Sequence, residues 1–278
     1  MDQVKMFYVQ GEDSFVIGGE KMTLIGGPCS IEGWEMCDEV AGTVKKICDS
    51  LDIQYVFKGS FDKANRSSLH AGRAVGLEKG LQILNDIKEK YQIPVTTDVH
   101  ESYQCAEVAK VADILQIPAY LCRQTDLILA AARTGKAVHV KKGQFMAPWN
   151  MDNVVEKILS CRNEKIILCE RGTTFGYNRL VVDMQGLVDM RVLGYPVFLD
   201  ATHAVQCPGS SKNFTSGNRD FVPYLINAGL AVGVDGIFAE IHPDPEHAVS
   251  DGPSQLWLKD VEKILTQAKK YDALTRSL

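Results

Sequence analysis

The chain has 278 residues, the length of one α/β barrel of about 250 residues, and little is left for a second domain. Its net charge of -5 at pH 7 gives nucleic acid or an anionic membrane no electrostatic hold, so neither is expected as a partner. A hydrophobic content of 45% is ordinary for a soluble globular fold.

The first segment, 6–19 (MFYVQGEDSFVIGG), reads as a β-hairpin turning at Gly11-Glu12-Asp13, placed to close the amino-terminal end of a barrel. From Met22 onward, apolar runs of strand length alternate with helical patterns. The expected strands are 22–27, 54–60, 93–100, 113–119, 137–142, 165–171, 196–203 and 236–243. The expected helices are 32–51, 80–91, 102–111, 126–133, 152–161, 182–192, 221–228 and 254–271. The first carries Met36, Val40, Val44, Ile47 and Leu51 near helical spacing, and Asp152 is placed to cap the fifth. We read 1–278 as a single (β/α)8 TIM barrel, with 1–20 as the hairpin extension and 272–278 as a polar, frayed tail.

The eight cysteines form no C-x-x-C pair, and Cys48, Cys105, Cys122, Cys161 and Cys169 lie in apolar runs. They read as reduced core residues of a cytoplasmic protein. Asp2, Glu12, Asp13 and Glu20 interrupt the first twenty residues, so no secretory signal is expected. No apolar run approaches the ~18 residues of a membrane span.

The apolar runs turn polar at the same end. Cys29 follows the first; Lys58 and Ser60 the second; Asp98 and His100 the third; Gln116 the fourth. Lys141 and Lys142 end the fifth, Glu170 and Arg171 the sixth, Asp200 and His203 the seventh, Glu240 and His242 the eighth. A barrel gathers such strand ends into one mouth, where active sites of this architecture form. The loops at 61–76 and 206–220 exceed ordinary connections and carry Lys63, Asn65, Arg66 and Ser67, and Ser210 and Lys212.

Lys58, Lys63, Arg66, Lys141, Lys142 and Arg171 would make a concave positive pocket. It suits a substrate with two anionic groups, such as phosphate plus carboxylate. Cys29, His203, Glu240 and Asp251 lie at or just beyond strands one, seven and eight, which adjoin in a closed barrel, and could ligate a borderline divalent metal. By default Cys29 reads as a plain buried thiol, and His242 and His247 as a chance H-x4-H pair. A phosphate-binding aldolase or isomerase and a non-catalytic metabolite-binding barrel both fit this much.

The motifs GGPCSIE (26–32), KGSFDKANRSS (58–68), TTDVHE (96–101), QIPA (116–119), VKKGQF (140–145), CERGTTFGYNRLVVDM (169–184), DATHAVQ (200–206), AEIHPDP (239–245) and SDGPSQL (250–256) span the chain. In this order they resemble the 3-deoxy-D-manno-octulosonate 8-phosphate synthases, KANRS being the most specific piece. The sister family that makes aldoheptulosonate phosphate from erythrose 4-phosphate usually carries a KPRTS-like motif there.

The resemblance implies condensation of phosphoenolpyruvate with D-arabinose 5-phosphate in lipopolysaccharide biosynthesis, in a homotetramer with sites near subunit interfaces. It implies that Lys141, Arg171, Gln116 and the backbone near Ala119 hold the phosphoenolpyruvate phosphate. Lys63, Lys58 and Ser60 would stand at the rest of that substrate. Asn65, Arg66, Ser67 and Asp98 would bind the pentose phosphate, with Arg66 and Ser67 reaching a neighbouring subunit's site. Of the family's two classes, the metal-dependent one has Cys where the other has Asn. Cys29 therefore implies a divalent metal (Zn, Fe(II), Mn or Co) on Cys29, His203, Glu240 and Asp251, and no organic cofactor. Lys63, Asp98, His203, Asp251 and Cys29 are the implied catalytic set.

Overall fold

The computed structural model describes residues 4–10, 15–65, 70, 72–174, 176–208 and 216–278. Eight parallel strands close on themselves: β1 Thr23–Gly27, β2 Gln54–Lys58, β3 Val95–Asp98, β4 Ile114–Ile117, β5 Ala137–Lys141, β6 Ile166–Glu170, β7 Val197–Asp200 and β8 Gly236–His242. Each pairs with its neighbours in chain order, and β8 closes the ring by pairing with both β7 and β1. The helices between and after them are α1 Trp34–Ser50, α2 Leu77–Tyr91, α3 Gln104–Val108, α4 Thr125–Arg133, α5 Asp152–Leu159, α6 Met184–Arg191, α7 Val222–Val232 and α8 Val261–Arg276. The expected (β/α)8 TIM barrel is the observed fold.

The strands are buried on both faces, as in parallel sheets covered by helices. Alternate residues point to opposite faces. Leu24, Tyr55, Leu115, Val138, Leu168, Leu199 and Ile237 face outward and pack with the helices in one large core. Ile25, Val56, Ile114, Ala137, Ile167, Cys169, Phe198 and Phe238 face inward and fill the barrel.

The amino-terminal hairpin pairs Phe7–Gln10 with Phe15–Ile17, and its Phe7 and Ile17 join the inner cluster. It lies at the strand starts, where Lys5 N–H donates to Gly194 O just before β7. Gly18, at φ 80°, is pressed against the same segment; a Cβ there would stand 2.8 Å from Pro196 Cγ. The hairpin thus closes the end of the barrel opposite the mouth.

Several helix boundaries differ from expectation, most of all those of the last helix. The last helix begins at Val261, because Leu256–Trp257 first adds a parallel strand beside β8. It then runs through Arg276, so the expected frayed tail is mostly helical. Asp272 is buried, Arg276 Nε donates to it at 2.6 Å, and Arg276 Nη1 donates to Gly19 O at 3.0 Å. Asp152 opens α5 without capping it, since a turn at Pro148–Met151 leads into the helix; Asp183 does cap α6, accepting from Gln185 N–H. On α1 the buried face is Cys37, Val40, Ala41, Val44 and Cys48, with Met36, Ile47 and Leu51 at its margin. Among the described residues, no helix is long and apolar enough to cross a membrane.

Candidate active site

The inward alternation that places Val56, Phe198 and Phe238 in the barrel interior continues to the carboxyl ends of the strands. There the inward positions become Lys58, Asp98, Gln116, Lys141, Asp200 and Glu240, all buried. Arg171 follows β6 in the same phase and is also buried. The mouth is therefore the top of the inner column, with charge in place of hydrocarbon.

On one side stand the candidate metal ligands. A ligand atom from each of Cys29, Glu240 and Asp251 lies within 4.8 Å of the others. Cys29 Sγ donates to Asp251 Oδ2 at 3.2 Å, and Gln255 Oε1 accepts from Cys29 N–H at 3.1 Å. Gln206 Nε2 donates to Asp251 Oδ1 at 3.2 Å. Gly27 lets β1 lie against β2 here, since a Cβ would stand 2.1 Å from Lys58 O. His203 reaches the group through Glu240, with Nε2 3.6 Å from Glu240 Oε1.

Burial pushes the Cys29 thiol well above its ordinary value, and the Glu240 carboxylate adds to that push against Lys63. Burial also works against the Glu240 anion, yet His203, Lys58 and Lys63 hold its pKa down at about 2. Glu240 Oε2 is buried with no hydrogen-bond partner among the described residues. A thiol, two carboxylates, one buried unpartnered carboxylate oxygen and an adjacent imidazole fit a borderline divalent ion, which would also ionise the thiol.

On the other side stand the cations. Lys63 Nζ donates to Ser60 Oγ at 3.0 Å and lies 3.8 Å from Asp98 Oδ2 and 4.0 Å from Glu240 Oε1. Burial opposes its charge, but Cys29, Glu240, Asp98 and Asp251 raise its pKa above the usual lysine value. Asp98 accepts from Ser60 Oγ at 2.6 Å and from Gln116 Nε2. Despite burial, Lys58, Lys63 and His100 hold Asp98 below the usual carboxylate range.

Lys141 pairs with Asp200, and its ammonium stands 3.0 Å from the centre of the Phe238 ring. Arg171 Nη2 donates to Gln206 Oε1 at 2.8 Å, while its Nη1 is buried without a partner among the described residues. That nitrogen and Gln116 Oε1, also unpartnered, are polar atoms held inside the mouth beyond what the fold itself satisfies.

Not every expected residue joins. Lys58 is largely engaged by the protein: Nζ donates to Cys29 O at 2.9 Å and to Glu240 Oε1 at 3.0 Å, so it braces the metal-ligand side. Lys142 is not in the pocket. It is out of phase with Lys141, and it lies fully buried 3.3 Å from Glu170 Oε2, donating also to Met146 O at 3.1 Å. Glu170 in turn accepts the backbone N–H groups of Arg171 at 3.0 Å and Gly172 at 2.6 Å, so this pair shapes the loops.

His242 and His247 do not form a metal pair. His242 accepts from Asp244 N–H at 3.0 Å and lies 3.5 Å from Glu32 Oε1, while His247 sits exposed beside Asp244. Ala119 begins the short turn after β4, and Asn65 is exposed on the turn beyond Lys63. Arg66, Ser67, Ser210 and Lys212 lie outside the described residues.

Four residues of the site escaped sequence reasoning as individuals: Gln206, Gln255, Thr202 and Phe238. The first three lie inside the motifs DATHAVQ and SDGPSQL that carried the resemblance. Phe238, two residues before Glu240 on β8, could have been found by strand alternation alone.

The profile of the DAHP synthetase I family matches residues 6–277. A "2-dehydro-3-deoxyphosphooctonate aldolase" of Fusobacterium nucleatum is 59% identical over 266 residues, 95% of this chain and 96% of that protein. Proteins of the same name from Cyanothece sp. and Desulfotalea psychrophila are 55% and 52% identical, over 94% and 95% of this chain and 96% and 94% of theirs. The chain belongs to the DAHP synthetase I family and groups there with the 2-dehydro-3-deoxyphosphooctonate aldolases.

Proposed function

We propose that this enzyme condenses phosphoenolpyruvate with D-arabinose 5-phosphate and water, giving 3-deoxy-D-manno-octulosonate 8-phosphate and inorganic phosphate for lipopolysaccharide biosynthesis. The observation that carries the reading is the two-sided mouth. Lys63, Lys141 and Arg171 stand on one side and the Cys29–Glu240–Asp251 trio on the other, in a chain whose relatives bear the octonate name.

In this reading Lys141 and Arg171, with Gln116 and the backbone near Ala119, hold the phosphoenolpyruvate phosphate. The unpartnered Arg171 Nη1 is a donor available for it. Lys63 faces the carboxylate, and Ser60 steadies Lys63. Asp98, Asn65, Arg66 and Ser67 take the pentose phosphate. Carbon 3 of phosphoenolpyruvate bonds to the aldehyde carbon, whose oxygen gains a proton. Water adds at carbon 2 and loses a proton, and the resulting hemiketal phosphate breaks its C–O bond to release phosphate. Fixed cations offset the repulsion of the two anionic substrates and hold them at bonding distance.

Cys29, His203, Glu240 and Asp251 would hold a divalent metal (Zn, Fe(II), Mn or Co), which would supply Lewis-acid polarisation of the aldehyde carbonyl. No organic cofactor is invoked. We place the enzyme in the cytoplasm, a reading supported by the buried thiols Cys37, Cys48, Cys105, Cys122 and Cys169. We read the working form as a homotetramer, with Arg66 and Ser67 serving a neighbour's site.

The name of the matched family favours a second reading, condensation with erythrose 4-phosphate. Phosphate release from phosphoenolpyruvate, measured with each sugar with and without a strong chelator, decides. We expect turnover with the five-carbon sugar only, lost to chelator, restored by a divalent metal, and nearly absent in Cys29→Ala. Preference for the four-carbon sugar would establish the second reading. Chelator-resistant turnover would return Cys29 to a plain buried thiol.

A further inference from the structure

Asp200 ends β7 in the inward phase and is 1% exposed. Its Oδ1 accepts the His203 backbone N–H at 2.9 Å and the Thr202 hydroxyl at 3.2 Å. Its Oδ2 accepts from Lys141 and lies 2.7 Å from His203 Nδ1. That last contact is short but off the N–H axis, so among the described residues His203 Nδ1 makes no aligned hydrogen bond. On its far side His203 presents Nε2 toward Glu240, and the same Thr202 hydroxyl accepts the Glu240 N–H at 3.1 Å. A single carboxylate therefore touches both sides of the mouth.

Hydrogen on Nδ1 is the arrangement that suits a carboxylate oxygen 2.7 Å away, since the alternative sets a ring lone pair beside an anion. A carboxylate in this position fixes both the ring orientation and the tautomer of its histidine. We propose that Asp200 is a positioning residue coupling the two sides: its Oδ2, shared by Lys141 and His203, holds His203 in the Nδ1–H tautomer with Nε2 facing Glu240, and tightens on His203 when an anion draws Lys141 away. The coupling half rests on the reading that Lys141 binds phosphate.

The consequence is a communication between substrate phosphate and imidazole that needs no movement of the backbone. An anion at Lys141 competes with Oδ2 for the ammonium protons. The freed oxygen then aligns on Nδ1–H. The Phe238 ring beneath the ammonium limits where Lys141 can go, so the exchange is between two discrete partners.

The test is nitrogen NMR of the full chain with labelled histidine, metal-free and with one equivalent of zinc, titrated with inorganic phosphate. His203 is assigned among the six histidines by the signal lost in His203→Gln. We expect an Nδ1–H tautomer at His203 and a saturable shift of its ring nitrogens with phosphate. Asp200→Asn should scramble the tautomer, abolish the phosphate response and lower zinc affinity and kcat/KM by about 10–100-fold. Wild-type ring shifts and a wild-type phosphate response in folded Asp200→Asn would overturn the proposal. If that variant does not fold, the wild-type titration decides alone: no change at His203 under saturating phosphate overturns the coupling. None of these spectra requires turnover, so failure to form product would sink the proposed reaction without touching this result.

Discussion

The two ends of one barrel interior are built from the same strands by the same alternation, and they are chemically opposite. At the closed end, Phe7 and Ile17 of the hairpin meet Ile25, Val56, Ile114 and Ile167 in an apolar plug. At the open end, the inward positions two residues further along these strands carry Lys58, Gln116 and Cys169, the last of these leading to Arg171. The lesson is a division of labour along each strand. Burial of hydrocarbon at one end fixes the frame, and that frame holds charges at the other end in positions they would not choose in water. The charges survive burial because nearly all are paired: Lys58 with Glu240, Lys63 with Asp98, Lys141 with Asp200.

A sharper version of the contrast separates adjacent residues of opposite phase. Lys142 should behave as frame, although it neighbours Lys141. Lys142→Met leaves the Glu170 carboxylate buried and unpaired, so we expect about 3–5 kcal/mol of destabilisation by denaturant titration. The double variant Lys142→Met/Glu170→Leu should recover part of the loss, and an unchanged midpoint in the single variant would break the assignment.

Arg171 should behave as chemistry, although it neighbours Glu170. Among the described residues it has no carboxylate partner to orphan, so Arg171→Met should keep the fold and lose roughly 10²–10³-fold in kcat/KM for phosphoenolpyruvate, as for removal of one preorganised donor. A stability loss without that kinetic loss would place Arg171 in the frame.

The open end should also show in acid. The folded-state pKa of Asp98 lies below its ordinary value of 3.8, so its ionisation stabilises the fold above that pH, and the contribution is lost as pH falls below it. Asp98→Asn should therefore flatten the acid limb of the stability curve between about pH 4 and pH 2 relative to the unmutated protein. An identical slope in both proteins would contradict the pairing.

The smallest effect belongs to the plug. Ile17→Val removes one methyl group from a fully buried site, and about 1 kcal/mol of stability should go with it. Both Michaelis constants should stay unchanged; a shift in either would mean the two ends are not independent.

The barrel was legible because its signals are local. Apolar runs of strand length, helical spacing between them and polar residues at one end repeat along the chain, and the resemblance confirmed the order. Boundaries were less legible where tertiary pairing overrode local pattern. Leu256–Trp257 looks helical in sequence but finds an open place beside β8. The 272–276 segment looks polar and loose, yet Asp272 and Arg276 tie it down against Gly19.

Within the site, Cys29, Lys63, Asp98, Gln116, Lys141, Arg171, His203, Glu240 and Asp251 were all placed at the mouth by sequence, and the fold brings them there. Sequence misplaced Lys142, overstated the freedom of Lys58, and overlooked Thr202, Gln206, Phe238 and Gln255. A strand of a parallel sheet is apolar on both faces, so VHVKK and IILCER contain no period-two signal to say which of two neighbouring polar residues points inward.

The sequence by itself determined the architecture, the end of the barrel that carries the chemistry and the residue types available there. Composition, strand-length runs and motif order are written along the chain and need no long-range information. Only the tertiary structure decided the phase of each strand, and with it that Lys141 and Arg171 point into the mouth while Lys142 and Glu170 turn away from it. It alone set Asp251 beside Cys29 across 222 positions of chain and gave one oxygen of Asp200 to two partners. Such distances follow from barrel closure, which fixes each strand's register against both neighbours at once.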